Sequence, residues 1–229
     1  MPRTQLPILA IAITLCSAPA FAQSPKAATY ITDEEVKKVL VQPGTDHTIK
    51  VVDIGSENLA VGIIHRGPTG GAAAGGGGAA AAGRGAAPAA GGAAPGGRGA
   101  AASAPPCGEQ TSTPPAGAGA AAGGLTHDSQ TEGYVIVSGG GTMITGGHIV
   151  NGRKSLPDSD VTKVLNGPSC SGMIAGADVV RRVVKAGDVI IIPAGVPHGW
   201  TDITDHVDYL SIRPSDHTLE AGYVNPAIK

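Results

Sequence analysis

The chain has 229 residues, with 16 Lys and Arg against 18 Asp and Glu, a formal charge of −2. That balance leaves no basic excess for electrostatic capture of nucleic acid, and no apolar run reaches the roughly 20 residues of a membrane-spanning helix. Glycine is abundant at 36 residues while aromatics make up only 3%, a composition that marks low-complexity chain, and the absence of a triplet period excludes collagen.

Met1 to Ala22 begins with Arg3, runs through the apolar stretch Leu6 to Ala18 and ends in Ala20-Phe21-Ala22. These are the three parts of a secretory signal, with cleavage expected after Ala22 and export to the periplasm or cell exterior. The apolar stretch is too short for an anchor. Cys107 and Cys170 are the two cysteines left after cleavage. In an exported chain they either pair or stay as free thiols, and the sequence leaves both open. A bridge would close a loop of about 62 residues and stabilise by roughly 4 kcal/mol on the chain-entropy estimate.

Thr32-Asp33-Glu34-Glu35 reads as a capping box, followed by Val36, Val39 and Leu40 at helical spacing and by Pro43-Gly44 as a stop. One short N-terminal helix follows from this. Runs rich in Val and Ile then predict strands at Thr48 to Ile54, Leu59 to His65, Tyr134 to Val137, Thr142 to Thr145, Val179 to Val184, Val189 to Ile192 and His206 to Ile212. Between them, residues 67–124 are mostly Gly, Ala and Pro. Such composition cannot bury enough apolar surface to offset chain entropy, so the segment is expected to be disordered. Because closure entropy grows slowly with loop length, the chain reads as one discontinuous all-β domain, 23–66 plus 125–229, with 67–124 inserted.

Two stretches carry the chemistry. In Gly187-Asp188-Val189-Ile190-Ile191-Ile192-Pro193-Ala194-Gly195-Val196-Pro197-His198-Gly199-Trp200 a strand runs into a Pro-Gly turn and a histidine opens the next strand. Alternation puts His198 and Trp200 on one face. In the second stretch His127 precedes Glu132 by five residues, and Tyr134 to Gly139 follow. An odd spacing sends two residues of a flat strand to opposite faces, so convergence needs a bend or bulge within Asp128 to Thr131.

At these residues the chain resembles the cupin superfamily. Gly187, Pro193, Gly195 and His198 fall at the spacings of its second motif; His127, Glu132 and Gly139 match the later half of its first. The first histidine of that motif would fall at Leu125. The resemblance implies a single cupin-type antiparallel β-barrel (double-stranded β-helix or jelly roll). It further implies that His127, Glu132 and His198 face into the barrel and hold a divalent metal, with Tyr134 and Trp200 lining the pocket. Two imidazoles and one carboxylate suit Fe, Mn, Ni or Zn, and three protein ligands leave coordination positions open. The alternative is a degenerate barrel in which the three groups only hydrogen-bond to one another.

Two functional readings follow: a metal-dependent enzyme of oxygenase or isomerase type acting on a small molecule, or a non-catalytic module for a small ligand or metal. The catalytic residues stay unknown, and a homodimer is expected from the resemblance alone. No nucleic-acid partner, and no membrane association after signal cleavage, is expected. His65 and His148 read as surface residues, and Arg181 and Arg182 alternate faces, which allows one of them to face an anionic ligand.

Overall fold

The computed structural model describes residues 27–69, 104–113, 122–215 and 217–229. The expected signal segment, with the cleavage expected after Ala22, lies outside them. Helix α1, Asp33–Leu40, starts on the expected box: the Glu35 amide donates to Thr32 Oγ1, and Glu35 Oε2 accepts from the Thr32 amide. Val39 on its inner face is buried against Ile49 and Ile63, with Ile31, Val36 and Leu40 around them. The helix thus closes over the outside of the first hairpin.

That hairpin is β1, Asp46–Asp53, and β2, Asn58–Arg66. Nine further strands follow: β3 (Pro106–Cys107), β4 (Ala122–His127), β5 (Glu132–Thr145), β6 (His148–Lys154), β7 (Ser169–Ala175), β8 (Val180–Lys185), β9 (Val189–Ile192), β10 (His198–Thr201) and β11 (Val207–Pro214). Pairing among them is antiparallel throughout, in two sheets. The first sheet runs β1, β2, β11, β5, β9; the second runs β3, β6, β7, β4, β10, β5, β8. The 14-residue β5 belongs to both, its first half in one sheet and its second half in the other. This is an all-β, two-sheet antiparallel architecture with one short α-helix.

The bend that lets β5 serve both sheets lies at Gly139-Gly140-Gly141, which the sequence reading took as a break between two strands. Gly139 has φ +64°, and a Cβ there would lie 2.0 Å from the His206 carbonyl oxygen. The facing strand slips register between Asp208 and Tyr209. Gly139→Ala is therefore expected to cost about 2–4 kcal/mol, combining left-handed strain with overpacking. Gly187→Ala is the control, because φ is also positive there (+92°) but open space surrounds the position. Urea midpoints should separate the two, and equal shifts would contradict the overpacking.

Disorder over 67–124 does not hold for the part that is described. Residues 104–113 carry β3, which pairs with β6, and Gly123 and Gly124 sit inside β4. Most of the rest of that segment lies outside the described residues. Cys107 and Cys170 form a disulfide across 63 positions. Cys107 pairs with Gly152 of β6, and a Cβ on Gly152 would lie 2.7 Å from Cys170 Sγ. Glycine there clears the path by which the bridge ties β3 across β6 to β7. Composition misjudged this stretch because a disulfide and a two-residue strand need little apolar burial.

The interior between the sheets is a cluster of Ile64, Tyr134, Ile136, Met143, Val184, Ile192, Trp200, Ile203, Val207 and Tyr209. Three of the five aromatics beyond residue 22 pack together there. Tyr209 lies 4.4 Å from Tyr134 and 5.4 Å from Trp200, centroid to centroid.

Candidate metal centre

His127 closes β4, Glu132 opens β5 and His198 opens β10. The expected distortion between His127 and Glu132 is a full turn from one strand to another, with β10 lying between them in the sheet. The Asp128 amide donates to the Pro168 carbonyl at 2.9 Å, and the Gly195 amide to the His127 carbonyl at 2.7 Å. The first bond ties the end of β4 to the start of β7, and the second fixes the turn before His198 against His127. All three side chains are buried, at 1–2% exposure.

Glu132 Oε2 lies 3.1 Å from His127 Nε2 and 3.0 Å from His198 Nε2. One ligand atom from each residue falls within 4.8 Å of the others. Despite the short distances, neither Nε2 makes a hydrogen bond of good geometry among the described residues. His198 Nδ1 donates to the Val196 carbonyl at 3.0 Å. A carbonyl only accepts, so Nδ1 carries a proton, and in the neutral ring Nε2 is then the nitrogen able to bind a metal. Buried imidazole nitrogens left without partners beside a carboxylate fit a cation better than they fit mutual hydrogen bonding. Leu125 is buried on β4 and Cα-paired with His198. It offers no donor atom, so the cluster has three ligands.

Glu132 is anchored from behind. Its Oε1 accepts from Arg213 Nε at 2.6 Å and from Ser211 Oγ at 3.0 Å, and its Oε2 accepts from Tyr134 Oη at 2.6 Å. Arg213 continues to the Leu165 carbonyl at 2.6 Å and to the Asp46 carboxylate at 3.0 Å. Burial alone would raise the Glu132 pKa, but the neighbouring His127 and the Arg213 guanidinium hold it well below the usual carboxylate range. Burial, then the Glu132 charge beside it, push the Tyr134 phenol up, so it stays a donor. Arg213 is held charged by Asp46 and Glu132 against its burial.

Tyr134 and Trp200 are both buried; the Tyr134 ring meets His198 edge-on at 6.1 Å, while Trp200 packs on Tyr209. His65 is exposed and bonds Asp208 at 2.6 Å, and His148 pairs with Glu109 at 2.9 Å on the surface. Arg181 and Arg182 are both exposed, so neither faces the interior. The sequence reading missed Asp46, Ser211 and Arg213. Their signal was faint but present: Tyr209, Ser211 and Arg213 alternate along β11, placing polar groups on the inward face of an apolar strand.

No model of a known protein family matches the chain, and no curated protein matches it. Among solved structures it is similar to an uncharacterised conserved protein with a double-stranded β-helix domain from Klebsiella pneumoniae (13% identity, TM-score 0.36, covering 84% of this chain and 94% of that one). It is also similar to an oxalate oxidase in complex with the substrate analogue glycolate (13%, TM-score 0.32, 78% of this chain), of which it spans only 55%. A cupin protein from Bacteroides fragilis is a third (14%, TM-score 0.27, 72% of each chain). Likenesses this distant bear on neither activity nor substrate.

Proposed function

We propose that the barrel holds one divalent metal ion on His127, Glu132 and His198, and acts through it on a small molecule. The observation that supports this most is the pair of buried, partnerless Nε2 atoms on either side of a carboxylate that is already oriented by Arg213, Ser211 and Tyr134. Such a donor set takes Fe, Mn, Ni or Zn, and when bound the ion supplies Lewis acidity and open positions for a substrate oxygen or for O2. The chain's own part is to keep Glu132 ionised, to fix the His198 tautomer and to exclude water with the Tyr134, Trp200 and Tyr209 wall.

A second reading, a binding module without turnover, draws support from one observation. The titratable groups packed around Glu132 are committed to one another, Tyr134 to Glu132 and Arg213 to Glu132 and Asp46, so no free general base stands beside the cluster among the described residues. Export to an oxidising compartment, with signal cleavage after Ala22, belongs to the proposal and agrees with a Cys107–Cys170 disulfide. A homodimer is proposed on resemblance alone.

Elemental analysis of protein purified from its own compartment, then of apoprotein reloaded with Fe(II), Mn(II), Ni(II) or Zn(II), is the test. About one equivalent is expected in the parent. His198→Ala should lose at least about two orders of magnitude in affinity, as removal of one of three ligands requires, while His65→Ala should keep its metal. A metal-free parent, or full loading of His198→Ala, would overturn the proposal. Oxygen uptake or substrate turnover by the loaded protein then separates the enzyme from the module.

A further inference from the structure

Among the described residues, two side-chain hydrogen-bond donors inside the barrel, the Tyr209 hydroxyl and the Trp200 indole, have no acceptor, and the terminal nitrogens of a half-buried arginine beside them make no hydrogen bond. Arg66, at the end of β2, shares the inward face with Ile64 and donates through Nε to Tyr209 Oη at 2.9 Å. Among the described residues no carboxylate lies within ion-pair distance of its guanidinium. Asp46 is held by Arg213, and Asp208, on the opposite face of β11 from Tyr209, is held by His65 and Ser138. The Tyr209 hydroxyl accepts from Arg66 and donates to no described group. Trp200, whose ring lies 5.4 Å from that of Tyr209, buries an indole Nε1–H that also meets no acceptor. Arginine and indole offer donors only, and arginine stays charged at any ordinary pH. A half-buried guanidinium without a carboxylate partner, a phenol O–H and an indole N–H without acceptors among the described residues, all around one aromatic ring, suit an anionic oxygen.

We infer that the barrel interior receives a small carboxylate, anchored by Arg66 and assisted by the Tyr209 hydroxyl and the Trp200 indole. The inference adds a ligand class to the metal-centred reading, and it rests on that reading only in placing the ligand in the same chamber. Charge points the same way. Arg66 and Arg213 balance Glu132 and Asp46 formally, so a divalent cation would leave the interior short of negative charge, which a carboxylate restores. One planar guanidinium fork beside Ile64, Val207 and two aromatic rings suits one planar carboxylate on an apolar or aromatic body. A phosphate dianion would call for more cations than this single unpaired one.

Trp200 is the only tryptophan, so its fluorescence reports the site directly, with calorimetry as the second measurement. The probes are acetate, succinate and benzoate, with benzamide as the neutral counterpart of benzoate, each titrated into EDTA-treated and into Zn-loaded protein. At least one carboxylate is expected to bind in both forms, with benzoate well ahead of benzamide. Arg66→Met should weaken that binding about 10–100-fold, as loss of a charge-assisted bond does. Tyr209→Phe, which keeps the ring, should weaken it about 3–10-fold through loss of one neutral hydrogen bond. Unchanged circular dichroism and melting temperature show that Arg66→Met still folds; if it does not, Arg66→Lys and Tyr209→Phe carry the comparison. Failure of all three carboxylates to bind, equal binding of benzamide, or unchanged affinity in the variants would overturn the inference. The two proposals fail separately: carboxylate binding in metal-free protein survives a failed metal analysis, and a loaded barrel indifferent to Arg66 refutes only the anchor.

Discussion

Arg213→Met is expected to destabilise the fold by about 3–5 kcal/mol, the range seen when one partner of a buried ion pair is removed. The loss is large because Arg213 faces two buried carboxylates, Glu132 at 2.6 Å and Asp46 at 3.0 Å, and also fills the Leu165 carbonyl. Methionine leaves two acids without a cation in a low-dielectric interior. Acid behaviour should change with it. The folded-state pKa of Glu132 is depressed, so its contribution to stability is full above the ordinary carboxylate value of 4.5 and is lost as pH falls from there towards the folded-state value. In Arg213→Met part of that depression disappears, so less stability remains to be lost on the acid side. Urea denaturation at pH 7 and pH 4 measures both effects, and a variant as stable as the parent at pH 7 would show that the network does not hold the barrel together. Under the metal proposal, added Zn(II) should recover part of the loss by supplying the charge that Glu132 has lost.

Removing the Cys107–Cys170 bridge should cost nearly as much. For a sequence separation of 63, the chain-entropy estimate is roughly 4 kcal/mol, or about 8–16 °C in melting temperature for a chain of this size. The effect should be uneven. β3 contributes two residues paired to β6 and relies on the bridge, so hydrogen exchange over 104–113 should rise towards that of free chain in Cys107→Ser/Cys170→Ser. Thr126 and His127 pair with Cys170 and Ser169 through a complete β4–β7 ladder of six Cα partners. Metal stoichiometry in the double variant should therefore match the parent. A melting temperature within a degree or two of the parent would mean that the unfolded chain is little constrained by the bridge.

Much of the fold was legible because it is written locally. The Thr32 capping box and the Val- and Ile-rich runs of β1, β2, β8, β9 and β11 each depend on residues within a few positions of one another. The strands that went unread are those without such a run. β6 contains Asn151-Gly152-Arg153, β7 contains Ser169 to Gly172, and β4 is Ala-Gly-Gly before Leu125. Their strand state comes from neighbours: Gly172 and Gly124 are positions where a Cβ would meet backbone oxygens at 2.7 and 2.5 Å, so glycine there serves close packing rather than flexibility.

The site divides along the same line. His127, Glu132 and His198 were named through the resemblance of two local motifs, whose glycines, prolines and strand starts lie within a few positions of one another. What surrounds them was not. Ser211 and Arg213 reach Glu132 from 79 and 81 positions away, and Asp46 reaches Arg213 across 167. The sequence by itself determined that this chain builds antiparallel strands and carries two histidines and a glutamate at strand ends. Only the tertiary structure decided that the carboxylate is locked by an arginine, that a second arginine has no acid partner among the described residues, and that the cysteines pair. Alternation says which way a side chain points, but which strand lies opposite is settled by non-local pairing, and a buried charge takes its state from the groups that pairing puts beside it.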